Sequence, residues 1–556
     1  MPELSIIIPS FNRAARLRAC LEALTRQSQP PQDFEVIVVV DGSTDETMAM
    51  LAEFDAPFAL RPLWQANAGQ AAARNHGIAV AAGRYCLFLD DDIIAAPDLV
   101  AEHLGLQRGS EAVVGLGQLA LALPDDADEF TLVFAAAWQG HYAALNAGTV
   151  TPGWEDCYSG NISAPREQLL ACGGFATHLA RGEDVELGYR LWKAGCLIAY
   201  LPNAVGRQDE RKGFRELSRD QENAGAADLA LYRQDPDMLS EALGSFCAGG
   251  WRKYLLCRLL LAAHVPPRTL AWCARFIPNS GRRRSWYGLV RKLCYWRGVQ
   301  RSIGDKTLWR QLISGTPVLL FHAVGESAEQ AGTYLMPAHR FASRLRWIKR
   351  LGYHPLRLDE FLACRRQRRF PAARSVVITF DDGYADNFTH AWPLLRQHGT
   401  PATIFLVTRH VGGTNEWDKA GELAGRPLMD WAQVREMAAQ GIAFGAHSRS
   451  HAALTSIDPE DATAEICGSR SDLEQALGTP AESFAYPYGL HDPHVQDMVA
   501  RAGYAAGVTV DAGLNCLATP AAALHRAEIR GTDSVLRLCL ALWLGSADAI
   551  LGRKRT

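Results

Sequence analysis

At 556 residues the chain is too long for one ordinary hydrophobic core, so two or three domains are expected. Its 48% hydrophobic and 21% charged residues exclude a disordered or fibrous chain, and a net charge of −3 points to no particular partner. Thirteen cysteines with no paired spacing and no Cys-x-x-Cys argue for a reducing compartment rather than a disulfide framework.

The opening stretch MPELSIIIPSFNR has no basic segment followed by a long apolar one and reads as a strand from residue 4, so no secretory signal is expected. No run of 18 apolar residues occurs, which argues against a spanning helix. From residue 4 to about 120, apolar strands (LSIIIPS, FEVIVVVDGS, YCLFLDDD) alternate with helical stretches (LRACLEALTRQ, ETMAMLAEF), the pattern of a parallel α/β sheet. The strand run YCLFL ends in an acid cluster, FLDDDI at 88–93.

Residues 251–310 differ in kind. They hold fourteen Lys and Arg against one acid, Asp305, interleaved with Trp251, Tyr254, Trp272, Phe276, Trp286, Tyr287, Tyr295 and Trp296. One or two amphipathic helices broken at Pro266-Pro267 are expected. The composition fits an anionic membrane surface or a solvated helical connector, and a nucleic-acid groove less well. From 311 to 530 the alternation returns in PVLLFHAVG, SVVITFDDG, ATIFLVT, IAFGAHS, SFAYPYG and AAGVTV. The halves share no visible repeat, so the chain reads as a fusion: domains at 1–230 and 313–556, with a basic, aromatic helical connector at 231–312.

In the first half the ordered series PSFNR, VDGSTDET, NAGQAAARNHGIAVAAGRYCLFLDDD, GNISAPREQLLACGGF and GEDVELGYRLWKAG resembles the family 2 glycosyltransferases, over roughly 4–225. The resemblance implies a GT-A fold (a Rossmann-like mixed sheet) and inverting sugar transfer from a nucleotide sugar, a UDP-sugar being favoured. Acids at the carboxyl ends of parallel strands open into the ligand crevice. The nucleotide-sugar site is then expected from Pro9, Phe11, Asp41, Arg74, Asp90, Asp91 and Asp92, with Asp41 accepting from a uracil-like base. Asp90 and Asp92 match the family's Asp-x-Asp, which holds Mg²⁺ or Mn²⁺ on the diphosphate, Asp92 as ligand. Asp184 matches the catalytic base, with Glu183 beside it on the acceptor side. Val40 replaces the first Asp of the commoner Val-Asp-Asp-Gly-Ser, and no Gln-x-x-Arg-Trp is present, which argues against a processive polymer synthase.

The second half raises a charge problem. TFDDGYADN at 379–387 sets two acids side by side after an apolar strand, a costly arrangement without a positive partner. GAHSRSH at 445–451 suggests a metal ion: His447 and His451 are four apart and can address one point, and one aspartate completes the set while its neighbour stays free to take a proton from water. With YPYG at 486–489, these motifs resemble the carbohydrate esterase family 4 polysaccharide deacetylases over roughly 316–530. That resemblance implies a distorted (β/α) barrel and removal of an N-acetyl (less often O-acetyl) group. It assigns Asp381 as base; Asp382, His447 and His451 as ligands of Zn²⁺ or another divalent ion; and the backbone of Tyr488 as an oxyanion donor. The family's third motif often carries Arg where Ala485 stands, and the late Leu-His of many members corresponds to Leu524-His525, giving His525 as general acid and Arg526 as a substitute for the missing Arg. His322 in VLLFHAVG reads as a structural histidine.

The expectation is a bifunctional glycan-biosynthesis enzyme with a glycan or lipid-linked acceptor and no nucleic-acid partner. Its alternative keeps one domain catalytic and makes the other a carbohydrate-binding or regulatory module. A cytoplasmic location is expected, with peripheral contact to an anionic membrane left open.

Overall fold

The computed structural model describes residues 2–209, 211–239 and 242–551. The chain divides into two compact units, residues 1–240 with 263–302 and residues 241–262 with 303–556.

The first unit is built on β1 (Leu4–Ser10), β2 (Phe34–Asp41), β3 (Ala59–Gln65), β4 (Tyr85–Leu89), β5 (Ile93–Ala95), β6 (Val113–Ala122), β7 (Asn161–Pro165) and β8 (Leu197–Asp209). Their order is β3-β2-β1-β4-β7-β6-β8-β5. The first four are mutually parallel, and β7 then runs antiparallel to both β4 and β6. The near-continuous apolar runs of β1, β2 and β4 are buried along their whole length, as strands covered on both faces must be. Edge strand β3 carries the mixed sequence ALRPLWQ and exposes part of it. The sheet is therefore mixed, because β7 and the short β5 run against the other strands, a reversal that the β-branched runs of the first hundred residues do not announce.

The second unit carries β9 (Val318–Phe321), β10 (His354–Leu356), β11 (Ser375–Phe380), β12 (Thr403–Leu406), β13 (Ala443–Ala446), β14 (Ser483–Ala485), β15 (Ala506–Val508) and β16 (Ala527–Glu528). All pairings are parallel, in the order β15-β14-β13-β12-β11-β9-β16, with β10 also on β11. The stretch 524–528 touches both edges: Leu524 bridges Val508, and Ala527 pairs with Leu319. This is a curled parallel sheet of the distorted (β/α) barrel type. Phe321, Phe341 and Phe380 pack ring against ring beneath it. Parallel strands direct their carboxyl ends to one rim, so the residues following β9, β11, β13 and β14 gather there.

The residues expected as a connector contribute to both units. Helix Trp251–Ala262 belongs to the second, where the Tyr254 hydroxyl donates to the Ile313 carbonyl at 3.3 Å. Helices Pro267–Cys273 and Ser280–Ile303 belong to the first, Pro267 opening its helix where a missing N–H costs nothing. There Tyr295 donates to Asp228 at 2.6 Å and Arg283 pairs with Glu129 at 2.5 Å. Trp272 and Phe276 stay exposed, their rings edge to face at 4.9 Å. Among the described residues no helix is long and apolar enough to cross a membrane.

Candidate active sites

In the first unit a cavity of about 540 Å³ opens at the carboxyl ends of β1, β2 and β4. Pro9, Phe11, Asp41 and the whole triplet Asp90–Asp92 line it. Asp41 is buried, and its carboxylate accepts from Gln65, from the Ala68 N–H and from the Gly69 N–H, each at 2.8 Å. Three donors leave one lone pair of Oδ2, so much of the work of Asp41 is to hold the 67–69 loop. Gly42 enforces the same approach: its φ is +78°, and a Cβ there would stand 2.7 Å from the Asn67 nitrogen.

The three acids of the triplet differ. Asp91 is buried, accepts from the Ser10 hydroxyl at 2.8 Å and pairs with Arg13 at 3.1 Å. Burial outweighs Arg13 and lifts its carboxyl to about 6. Asp92 lies near Arg16 and Arg13 (3.4 and 3.5 Å) and Gln208 at 3.2 Å, and is pushed upward by burial and then by the charge of Asp90. Asp90 is the most open of the three and is held by Arg74 at 2.8 Å.

Arg74 joins distant motifs. Its fully buried guanidinium also bonds Glu183 at 2.9 Å, so it ties the triplet to the first turn of helix Glu183–Lys193. Glu183 is raised by burial and by the neighbouring Asp184, against the pull of Arg74. Asp184 accepts from the Ser159 N–H and hydroxyl at 3.1 and 3.3 Å and is only half-buried. Arg16 and Gln208 were invisible as site residues in the sequence, since neither falls in a motif, and Ser10 lay within the quoted PSFNR without a signal of its own. Arg13 lay within the quoted PSFNR.

In the second unit Asp381 and Asp382 follow β11 directly, His447 follows β13, and the loop 447–451 brings in His451. Candidate ligand atoms of Asp382, His447 and His451 all lie within 4.8 Å of one another, and all three residues are buried. His447 Nδ1 stands 2.8 Å from the Ala485 carbonyl, which can only accept, so Nδ1 carries the proton and Nε2 presents a lone pair. That Nε2 is 3.5 Å from Asp382 Oδ1, and His451 Nε2 is 3.4 Å from the same oxygen. Asp382 Oδ1 and His451 Nδ1 are buried without a hydrogen-bond partner. Burial, and then His447, keep His451 well below the usual imidazole range and hence neutral. Asp382 Oδ1 and the His447 Nε2 lone pair face each other, and neutral His451 can add a third acceptor, the arrangement that a divalent cation completes. The residues present fit such an ion.

Asp381 is compensated differently. Arg526 grips both its oxygens, at 2.6 and 2.8 Å, and with His447 outweighs burial to hold the carboxyl at about 2. His322, directly after β9, acts electrostatically on Asp381, Asp382 and His451. The ionic neighbours of His525 are instead Asp511 and His491. The structure thus brings Arg526, not His525, to the acid pair. His322 is steadied by the rest of TFDDGYADN: Asn387 donates to its carbonyl at 2.9 Å, and Asp386 accepts from the Val324 N–H at 3.0 Å. Trp417 stacks on His451 at 4.9 Å, and Tyr488 meets that ring edge-on at 4.4 Å. Trp417 sits in a loop without periodicity, so sequence reasoning missed it.

Backbone strain concentrates at the two sites. Of eight non-glycine residues at positive φ among those described, Asp382, Ser448, His451 and Tyr488 lie at the second site and Asn12 near the first. Such conformations persist where surrounding structure over-determines them, as functional sites do.

Residues 5–125 match the sequence model of glycosyl transferase family 2, and residues 369–507 match that of polysaccharide deacetylase. The chain thus joins a stretch that matches the one family to a stretch that matches the other. Its transferase unit is similar to validoxylamine A glucosyltransferase of Streptomyces hygroscopicus subsp. limoneus, 29% identical over 273 residues, 43% of this chain and 58% of the relative. Its deacetylase unit is similar to YxkH of Bacillus subtilis (strain 168), a relative named for the deacetylase family: 26% identical over 233 residues, 42% of this chain and 78% of the relative. It is also similar to poly-beta-1,6-N-acetyl-D-glucosamine N-deacetylase of Staphylococcus aureus (strain MRSA252), 26% identical over 194 residues, 33% of this chain and 64% of the relative. Asp184 of the transferase unit, and His322 and Arg526 of the deacetylase unit, lie outside the stretches matched by the family models.

Proposed function

We propose that the chain is a bifunctional glycan-biosynthesis enzyme, which transfers a hexose from a nucleotide sugar with inversion and deacetylates an N-acetylated sugar. The observation that carries the second activity is the convergence of Asp382, His447 and His451 on one point, with Asp382 Oδ1 buried and lacking a hydrogen-bond partner. Those residues would hold Zn²⁺ or a similar divalent ion, which when bound polarises the acetyl carbonyl and acidifies water. Asp381 accepts the proton of the attacking water; Arg526 occupies one lone pair on each of its oxygens and leaves others free. The Tyr488 backbone, held at φ 58°, faces the developing oxyanion. His322, not His525, gives a proton to the leaving amine, because His322 is the histidine beside the acid pair that is not needed as a ligand. The name of the staphylococcal relative supports an N-acetylglucosamine-containing substrate.

In the transferase unit Asp90 and Asp92 would hold Mg²⁺ or Mn²⁺ against the donor diphosphate, an all-oxygen set suited to a hard cation. Asp184 deprotonates the acceptor hydroxyl, and Arg74 positions it through Glu183. A UDP-sugar fits the remaining lone pair of Asp41. Exposed Trp272 and Phe276, near Arg268, Arg275 and Arg282 in sequence, support peripheral contact with an anionic membrane, where a lipid-linked acceptor would be met.

The decisive assay measures sugar transfer and acetate release on lipid-linked acceptors carrying an N-acetylhexosamine. Both activities in one preparation are expected. Acetate release without transfer, or the reverse, would leave one unit as a binding module.

A further inference from the structure

A second cavity lies in the deacetylase unit, of about 460 Å³, at the opposite rim from the acid pair. It opens where β10 and β11 begin, and the His354 N–H donates to the Arg374 carbonyl at its edge. Asp381 follows the far end of β11, so six strand residues, about 20 Å, separate the two rims. No residue is shared between them.

Its lining is strongly one-sided in charge. Arg258, Arg310 and Arg374 face it, and no Asp or Glu lines it. Among the described residues none of the three pairs with a carboxylate: Arg258 donates to the Tyr254 hydroxyl at 2.7 Å, Arg374 to the Leu351 carbonyl at 3.0 Å, and Arg310 has no hydrogen-bond partner. Most other arginines around the sites are matched with acids, as Arg526, Arg426, Arg74 and Arg13 show. Arg374 is also held at φ +63°, a costly conformation for a side chain with a Cβ. The walls are aromatic: Tyr254, Tyr353 and Trp543. Three unpaired guanidiniums converging on a cavity match an anion of two or more charges, and guanidinium forks suit phosphate oxygens in particular. The aromatic wall suits an apolar or ring-bearing group attached to that anion.

We propose that this cavity binds a diphosphate ester, through Arg258, Arg310 and Arg374, at a site separate from both catalytic centres. The ester has two chemically equivalent sources, a nucleoside diphosphate or a lipid diphosphate, and the shared group is what the arginines recognise.

The test is titration calorimetry of the full chain with inorganic pyrophosphate in excess chelator, which removes metal-assisted binding at the transferase site. Saturable binding is expected, weakened about tenfold or more by R258Q/R310Q, since each lost charge-assisted hydrogen bond is worth roughly a factor of ten. Acetate release by that variant, measured without chelator, should equal that of the unaltered protein and certify its fold. Absent binding, or equal affinity in the variant, would overturn the proposal. If the variant does not fold, phenylglyoxal labelling of the unaltered protein replaces it: pyrophosphate should protect Arg258, Arg310 and Arg374, and equal labelling would overturn the assignment. The arms then separate the sources. Displacement of pyrophosphate by UDP indicates a nucleotide, and Arg258-dependent binding only to vesicles bearing an isoprenyl diphosphate indicates a lipid. Pyrophosphate binding with neither carrier would overturn the ester reading.

Discussion

The two acid clusters of this chain occupy equivalent places, each just beyond the carboxyl end of a parallel strand, and are neutralised in opposite ways. At Asp90–Asp92 the balancing charges are built in: Arg74, Arg13 and Arg16 reach all three carboxylates, and the cavity remains open to solvent. At Asp381–Asp382 only the first acid has an arginine. The second faces two imidazoles, of which His447 is fixed by its Nδ1 partner to present a lone pair, and no arginine. A site that supplies its own cations can wait for substrate and metal together. A buried site that withholds one cation is incomplete until an ion fills it.

The largest effect should therefore fall on Asp382. Asp382→Ala should abolish both bound metal and acetate release while sugar transfer continues, read by elemental analysis and two parallel assays. Asp381→Asn should keep the metal and lose the activity; the opposite pattern would exchange the two roles. After chelation, Zn²⁺ should restore acetate release, whereas Mg²⁺ or Mn²⁺ should restore transfer, because nitrogen donors favour the former and an oxygen-only set the latter.

Next in size is the transferase base. Asp184→Asn should lower transfer by roughly 10²–10⁴ with nucleotide binding and acetate release intact. Unchanged transfer would remove Asp184 from its role.

Breaking the one built-in pair of the second site comes third. Arg526→Gln leaves Asp381 buried and unpaired, so the deacetylase unit should lose roughly 3–5 kcal/mol of stability. Calorimetry should show one transition moving down. A variant as stable as the unaltered chain would mean that solvent reaches Asp381.

The smallest effect concerns Asp91, raised by burial to about 6 from an ordinary 3.8. A carboxyl whose folded pKa is raised keeps its proton longer when folded, so its contribution to stability falls as pH rises from about 4 to about 6 and stays low above that. Asp91→Asn removes this cost of roughly 3 kcal/mol and weakens the pair with the half-exposed Arg13 and the hydrogen bond from Ser10. The variant should melt at or above the unaltered protein at pH 7.5, and the difference should vanish near pH 4. A lower melting point at pH 7.5 would show that Arg13 outweighs burial.

Much of this was legible before any coordinates. Continuous apolar strands ending in Asp41, Asp90 and Asp381 place those acids at a strand's carboxyl rim by local pattern alone, and the spacing of His447 and His451 requires only a short loop. The α/β alternation of the second unit follows from the same runs, and its curled barrel form from the family resemblance. Strands β6 to β8 were not readable, because their pairing is set by partners far off in sequence rather than by periodicity. The same holds for Ser10, Gln208 and Trp417, whose residue types mean nothing until the chain brings them to a cavity.

Sequence by itself determined the two families, the strands and the acids and imidazoles at their ends, since these depend on residue type over a few positions. Tertiary structure alone decided which charges meet. It gave His525 Asp511 and His491 as its ionic neighbours, made Arg74 the link between Asp90 and Glu183, and left Arg258, Arg310 and Arg374 without acids around a second cavity. The reason is range. An apolar pattern acts through neighbours along the chain, whereas a buried charge is compensated by whichever group the packing delivers within about 4 Å, and that group can be a hundred residues away.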